Sequence, residues 1–194
     1  MDWIQITALI LLCVFYIAYV TKTLILKRHG ITANLLGKGD KPKAARTVEV
    51  CLRATTAAGA VTQFGSALFP DVVWSVPLSA PIRVIGLFLI LCGSLFFIAA
   101  ALIMRDNWRA GFGKVQNTSL VTHGIYKTSR NPAFVGFDLL FIGCAAVFPN
   151  VVSIAVALAA VILFHIQILG EEKYLVETFG LEYTRYQSIV RRYL

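Results

Sequence analysis

Two polar segments of this sequence combine residue types that could bind a small charged molecule. In the first segment, His123 and Arg130 precede the pair Asn131-Pro132. Asparagine is favoured as the N-cap of a helix and proline at its first position, so a helix is predicted to begin here. Because the amides and the dipole of a helix start attract anions, the segment predicts an anion-binding site. The alternative is an ordinary capped helix with a surface arginine.

The second segment, Gly170-Glu171-Glu172, follows a long apolar run. Two carboxylates at the C-terminal end of a helix oppose the helix dipole, so they need a cationic partner. That partner is either Arg130 or a lipid-side lysine, in a structural ion pair, or it is the ammonium or sulfonium group of a ligand. His165 lies earlier in the same run, where a histidine predicts either a functional group or a hydrogen bond between helices.

The elements that must position these residues are long apolar helices. The chain is 58% hydrophobic and only 14% charged, which is more apolar and less charged than a soluble domain. The apolar residues are concentrated in runs long enough, or nearly so, to cross a lipid bilayer. The sequence therefore predicts an all-α integral membrane protein with five transmembrane helices. These runs lie at residues 3–21, 54–69, 82–104, 133–148 and 151–169.

The basic residues predict how the helices are oriented. Eight lie between residues 22 and 53, five between 105 and 130, and four between 173 and 192, whereas the alternate connections at 70–81 and 149–150 have none. By the positive-inside rule, the N-terminus is predicted outside and the C-terminus in the cytoplasm. Both polar segments then share the cytoplasmic face. The net charge of +8 is thus attributed to topology and to anionic membrane lipid, and binding of nucleic acid is not expected.

The polar segments also resemble a known family. The shared pattern is His-Gly-x-Tyr at 123–126, Arg-Asn-Pro at 130–132, Glu-Glu at 171–172 and Phe-Gly-x-x-Tyr-x-x-Tyr at 179–186. In order and spacing it is similar to the isoprenylcysteine carboxyl methyltransferase and phospholipid methyltransferase superfamily. This resemblance implies a membrane-embedded methyltransferase that uses S-adenosylmethionine bound at the cytoplasmic side.

The resemblance also implies a division of the chain. Residues 80–194 would form the catalytic core, with three transmembrane helices, the loop 105–132 and the C-terminal tail. Residues 1–79 would supply two further helices and a basic cytoplasmic loop, and they carry no motif. No obligate protein partner is evident.

The family's functional residues can be carried over only to matching positions. Asn131 stands where the family more often has histidine, and Phe134 where it has tyrosine, so the helix-start amides are expected to matter more than these side chains. Glu171, His165 and Arg130 are the predicted catalytic residues, with Glu171, His123 or His165 as a base for an amine acceptor. The predicted cofactor-binding residues are Gln116, Leu120, Val121, His123, Tyr126, Arg130, Asn131, Pro132, Ala133 and Glu172.

The expected acceptor is a lipophilic molecule or a prenylated substrate. The prenylcysteine enzymes of the superfamily place an arginine one turn before the glutamate, and Ile168 occupies that position here. Weak recognition of a prenylcysteine carboxylate is therefore expected. The alternatives are a phospholipid N-methyltransferase, a sterol-type reductase that uses NADPH, and a membrane transporter or scaffold without enzymatic activity.

Overall fold

The computed structural model describes residues 1–39, 41–69, 78–113 and 119–194, and within these ranges it contains helices and no β-strand. The all-α prediction is therefore confirmed. Two short 3₁₀ helices, Arg105–Asn107 and Gly124–Lys127, interrupt the loop before the fourth α-helix. The α-helices are α1 (Trp3–Arg28), α2 (Lys43–Leu68), α3 (Ala80–Met104), α4 (Pro132–Val147), α5 (Val151–Phe179) and α6 (Leu181–Ile189).

Three of the described helices, α1, α3 and α5, are long and apolar enough to cross a membrane. Their outward surfaces carry large apolar side chains, such as Ile10 and Ile17 in α1, Phe88 and Leu95 in α3, and Leu158 in α5. Such exposed apolar surface is expected where lipid is the solvent. α4 is apolar but shorter, with 16 residues.

The helix boundaries differ from the predicted apolar runs at two places. α2 begins at Lys43, eleven residues before the apolar run at 54–69, because basic residues such as Lys43 and Arg46 are good helix formers although they are not apolar. α5 does not stop near Leu169 but continues through Gly170 to Phe179. The tail is therefore largely helical, and it turns only at Gly180, whose φ of 56° suits glycine.

α3 and α4 lie in backbone contact along two pairs of glycines. A Cβ built on Gly93 would lie 2.6 Å from the carbonyl oxygen of Gly136, and one on Gly86 would lie 2.8 Å from that of Gly143. Small residues at such positions let helices in a membrane approach closely. α3 and α4 therefore form one tightly packed unit, with α1 against α3 and α5 against α2 and α4.

Candidate functional site

Two cavities lie next to each other at the end of the helix bundle that holds the polar segments. The first, the apolar cavity, has a volume of about 340 Å³ and is lined by α1, α2, α4 and α5. Its walls are mostly aromatic and aliphatic, including Tyr19, Leu52, Phe137 and Phe164. This composition suits a hydrocarbon chain.

The second, the polar cavity, has a volume of about 130 Å³ and is formed by the loop after α3, the C-terminal end of α5, and α6. Five predicted site residues line it: Leu120, Val121, Tyr126, Arg130 and Glu171. Three tyrosines from the end of α5 and from α6 complete the wall, namely Tyr174, Tyr183 and Tyr186. Two segments that are far apart in sequence thus meet at one cavity, as the sequence predicted.

The tyrosines connect the tail to the loop. The hydroxyl of Tyr186 donates a hydrogen bond of 2.6 Å to the backbone carbonyl of Tyr126, and that of Tyr174 donates to the carbonyl of Gly113. Burial raises the pKa of Tyr186 to about 12 and also raises the pKa of Tyr126, so both hydroxyls stay protonated at neutral pH. As neutral, hydrogen-bonded groups, these tyrosines line the polar cavity without adding charge to it.

Glu172 lines neither cavity. Its carboxylate is held by three neighbours. Arg130 donates to it at 2.9 and 3.0 Å, Arg192 at 2.9 and 3.1 Å, and Asn131 at 3.1 Å. The side chain of Glu172 is only 5% exposed and that of Arg130 only 10%. Of the partners that the sequence left open for this carboxylate, the structure gives it Arg130, and it adds Arg192, which was not predicted.

The same network determines the geometry at the start of α4. Asn131 occupies the predicted N-cap position and Pro132 begins the helix. The Asn131 side chain makes no capping bond, however, because its amide donates to Glu172 and to the carbonyl of Arg192. Asn131 thus joins the helix start to the C-terminal segment and does not cap α4 with its side chain.

Glu171 lies differently from its neighbour. It is half-buried, it lines the polar cavity, and among the described residues no cation lies within 4 Å of its carboxylate. Gln167, one turn earlier, donates a hydrogen bond of 3.0 Å to it. Glu171 is therefore the acidic group of the cavity that remains available to a positively charged ligand.

Gln167 continues this polar connection to the first half of the chain. Its amide also lies 3.3 Å from the carboxylate of Glu49, which is fully buried in α2. Glu49 is paired with Lys41 at 2.6 Å, and Lys41 lies over the ring of Phe112. This buried ion pair of Lys41 and Glu49 was not predicted. Gln167, which connects it to the polar cavity, is far from both residues in sequence.

Four other predicted site residues do not line the polar cavity. His123 is exposed, Pro132 is buried in the bundle, and Ala133 lines the apolar cavity instead. His165 is exposed and lies 2.7 Å from the hydroxyl of Tyr193, outside both cavities. Gln116 lies outside the described residues, although Gly113 and Ser119 on either side of its segment both line the polar cavity.

Ile168 is fully buried and lines neither cavity. Its apolar character therefore has no direct bearing on how a substrate carboxylate would be held. The charged residue that does lie between the cavities is Arg109, which lines both together with Gly111. Nothing in the local sequence distinguishes Arg109 from the other basic residues of its loop.

The sequence can be compared with known proteins. Residues 81–182 match the family described as phospholipid methyltransferase. The chain is 32% identical over 115 residues to protein-S-isoprenylcysteine O-methyltransferase A of Arabidopsis thaliana, covering 54% of this chain and 55% of the relative. It is 30% identical over 131 residues to the protein-S-isoprenylcysteine O-methyltransferase of Saccharomyces cerevisiae, covering 64% of this chain and 54% of the relative.

A third relative, the protein-S-isoprenylcysteine O-methyltransferase of Tribolium castaneum, is 33% identical over 109 residues, which cover 55% of this chain and 39% of the relative. The chain thus spans about half the length, or less, of these curated relatives. The resemblance drawn from the polar segments is confirmed. Because the family match covers more than half of its 194 residues, the chain belongs to the phospholipid methyltransferase family.

Proposed function

We propose that this chain is an integral membrane methyltransferase that uses S-adenosylmethionine and transfers a methyl group to a lipophilic acceptor. The observation that carries the proposal is the junction of the two cavities at Arg109 and Gly111. An apolar cavity reached by four helices suits a lipophilic acceptor, and a polar cavity beside it suits a charged cofactor. The names of the relatives support the same reaction class.

The residues of the polar cavity fit such a cofactor. S-adenosylmethionine supplies an activated methyl group on a positively charged sulfur and also carries an ammonium group. Glu171, the carboxylate of this cavity that is free of a described cationic partner, would hold the positive charge. Leu120, Val121 and Tyr126 would form the apolar slot for the adenine. Arg130 borders the cavity while its guanidinium is bonded to Glu172.

The contribution of the protein to the reaction would be alignment. A bond forms between the acceptor atom and the methyl carbon while the carbon–sulfur bond breaks, and its electron pair stays on sulfur. Walls that hold the two reactants in line can supply much of the acceleration. A carboxylate acceptor carries no proton to remove, whereas an amine acceptor needs a base, and Glu171 is the candidate at this cavity.

Binding of S-adenosylhomocysteine tests the cofactor assignment. Calorimetric titration of the purified protein in detergent should give a saturable signal with S-adenosylhomocysteine and none with NADPH. A signal with NADPH and none with S-adenosylhomocysteine would support the sterol-type reductase. No signal with either ligand would support a protein without enzymatic activity. Radiolabelled methyl transfer to lipid amines then separates a phospholipid N-methyltransferase from an enzyme that methylates carboxylates.

Replacing Glu171 by glutamine should weaken S-adenosylhomocysteine binding by roughly ten- to a hundredfold, the value of one charge-assisted hydrogen bond. Glutamine keeps the shape and the partner Gln167 but removes the negative charge that would attract the ammonium group. Glu177→Gln, at an exposed position of the same helix, is the matched control and should leave the affinity unchanged. Equal affinities of both variants would exclude Glu171 from the binding site.

For the topology we propose five spans, with the N-terminus outside and the C-terminus in the cytoplasm. α2 and α4 would join the three long apolar helices as spans, and the basic loops would then lie on one side. In a variant without native cysteines, Ser79→Cys should react with an impermeant maleimide added to intact cells. Ser188→Cys should react only after the cells are opened. Both positions are exposed, so equal labelling from outside would contradict the proposed orientation.

A further inference from the structure

The buried ion pair of Lys41 and Glu49 has no role in the proposed reaction, although only one side chain separates it from Glu171. The Lys41 ammonium group lies 2.7 and 2.6 Å from the two carboxylate oxygens and donates to the carbonyl of Leu35 at 3.0 Å. The backbone amide of Gly37 donates to the same carboxylate at 2.8 Å. The carboxylate of Glu49 is therefore fixed by the loop between α1 and α2.

Gln167 connects this pair to the carboxylate of the polar cavity. Gln167 is 2% exposed, and its amide nitrogen lies 3.3 Å from Glu49 and donates to Glu171 at 3.0 Å. Ionised carboxylates only accept hydrogen bonds, so the NH₂ end of the amide must face both of them. An uncharged amide restricts the Glu171 side chain but leaves its negative charge available, whereas a cationic side chain in this place would neutralise it.

Lys41 and Glu49 also contact the loop after α3. The ammonium group of Lys41 lies 4.9 Å from the centre of the Phe112 ring. A Cβ built on Gly111 would lie 3.0 Å from a carboxylate oxygen of Glu49, and the φ of 84° at Gly111 also favours glycine. Gly111 and Phe112 line the polar cavity, whereas Lys41 and Glu49 line neither cavity. The ion pair therefore supports the wall of the polar cavity without reaching the cavity itself.

We infer that Lys41, Glu49 and Gln167 are positioning residues for Glu171: the ion pair fixes the amide of Gln167, and this amide holds the Glu171 carboxylate at the polar cavity without neutralising it. The inference rests on the proposed function and deepens it, because Lys41 and Glu49 precede the region that matches the family. The loop before α2 and the start of that helix thus become part of the support of the proposed cofactor site.

Several titratable groups act on the Glu171 carboxyl, which lies beyond the apolar part of α5. Burial raises its pKa to about 7, and the hydrogen bond from Gln167 opposes this shift. Of the two members of the ion pair, Glu49 raises the pKa further and Lys41 lowers it. Loss of the Gln167 donor should therefore favour the protonated form of Glu171. The other charged or titratable described side chains at the polar cavity are Arg109, Arg130, Tyr126, Tyr174, Tyr183 and Tyr186.

The titration of Glu171 tests the inference without any ligand. In protein whose glutamate carboxyl carbons are labelled with ¹³C, the Glu171 signal is the one that is missing from Glu171→Gln. Gln167→Met should raise the pH midpoint of this signal by roughly half to one pH unit, because methionine keeps the length of the side chain and removes the donor. Ile168→Met, a similar change at the next buried position, should leave the midpoint unchanged. An unchanged or lower midpoint in Gln167→Met would overturn the inference.

Binding of S-adenosylhomocysteine tests the link to the cofactor site. Gln167→Met should weaken binding by about three- to tenfold, the value of one hydrogen bond. In a protein that already carries Glu171→Gln, the same substitution should change the affinity by less than about twofold, since the group that Gln167 positions is absent. A general structural defect would weaken binding equally in both backgrounds. Equal losses would therefore contradict a positioning role.

The contribution of the ion pair is tested by removing both charges together. Replacing a buried ion pair by apolar residues is often neutral for stability, so Lys41→Met/Glu49→Leu should keep a wild-type unfolding midpoint. S-adenosylhomocysteine affinity should nevertheless fall by about three- to tenfold, because the amide of Gln167 loses its second acceptor. Lys43→Met, at an exposed position of the same segment, should leave the affinity unchanged. Wild-type affinity in the folded double variant would exclude the ion pair from the positioning role.

The inference and the proposed function can fail separately. If the wild type binds S-adenosylhomocysteine but Gln167→Met changes neither the affinity nor the titration of Glu171, the positioning inference alone fails. If Gln167→Met raises the titration midpoint of Glu171 but the wild type binds no S-adenosylhomocysteine, the proposed methyltransferase function alone fails.

Discussion

Replacing Glu172 by glutamine should lower the free energy of unfolding by about 3–5 kcal/mol, the cost of leaving buried charge without its partner. The carboxylate of Glu172 holds Arg130, Arg192 and Asn131 together, and Arg130 is almost fully buried beside it. A neutral amide would leave both arginines without their counter-charge. The loss should appear as a lower midpoint in chemical unfolding of the protein in detergent.

The expected loss depends on position as well as on charge. Glu177→Gln, in the same helix but exposed, should change the unfolding midpoint little, since exposed charges contribute about 0–1 kcal/mol. From the sequence, Glu172 was expected to bind the cofactor. If the Glu172→Gln variant is as stable as the wild type but binds S-adenosylhomocysteine much more weakly, Glu172 binds the cofactor. That result would contradict its proposed role in stability.

Replacing Ile168 by arginine should destabilise the protein by a similar amount, about 3–5 kcal/mol, and should not create a site for a substrate carboxylate. Ile168 has no exposed surface and lines neither cavity, so an arginine there would bury an unpaired cation. The yield of monodisperse protein in size-exclusion chromatography should fall sharply. Methylation of a farnesylcysteine analogue, measured with radiolabelled cofactor, should not increase.

Leu169→Arg is the matched control for this substitution. Leu169 is the next residue and is 42% exposed near the end of the apolar part of α5, so a long arginine side chain can extend to polar surroundings. This variant should keep most of the wild-type yield. A stable Ile168→Arg protein with increased methylation would mean that position 168 faces the substrate after all.

Much of the fold could be predicted from composition and local signals. Each predicted apolar run lies within a helix or overlaps one almost completely, and the turn at 149–150 and the start of α4 are where proline and asparagine indicate them. The start of α2 and the end of α5 could not be placed from hydropathy. Both continue as polar helix, and helix propensity is a weak guide there.

The candidate site could be predicted only where residues that are close together in sequence form a recognisable pattern. The segments around Tyr126 and Glu171 were expected to meet, and they line one cavity. Which of two adjacent glutamates faces that cavity was not predictable, because the answer depends on Arg192, twenty residues further along the chain. The position of Arg109 between the two cavities was not predictable either, since both cavities exist only in the folded protein.

The two cavities also differ in which part of the chain builds them. Apart from Leu35, every described residue of the polar cavity lies at or after Met104, largely inside the region that matches the family, whereas α1 and α2 supply Tyr16, Tyr19 and Leu52 to the apolar cavity. Those two helices precede the matched region. Under the proposed function, substitutions in the first two helices would change the wall proposed for the acceptor chain and leave the wall beside Glu171 unchanged. A change of acceptor would then require no change at the proposed cofactor site.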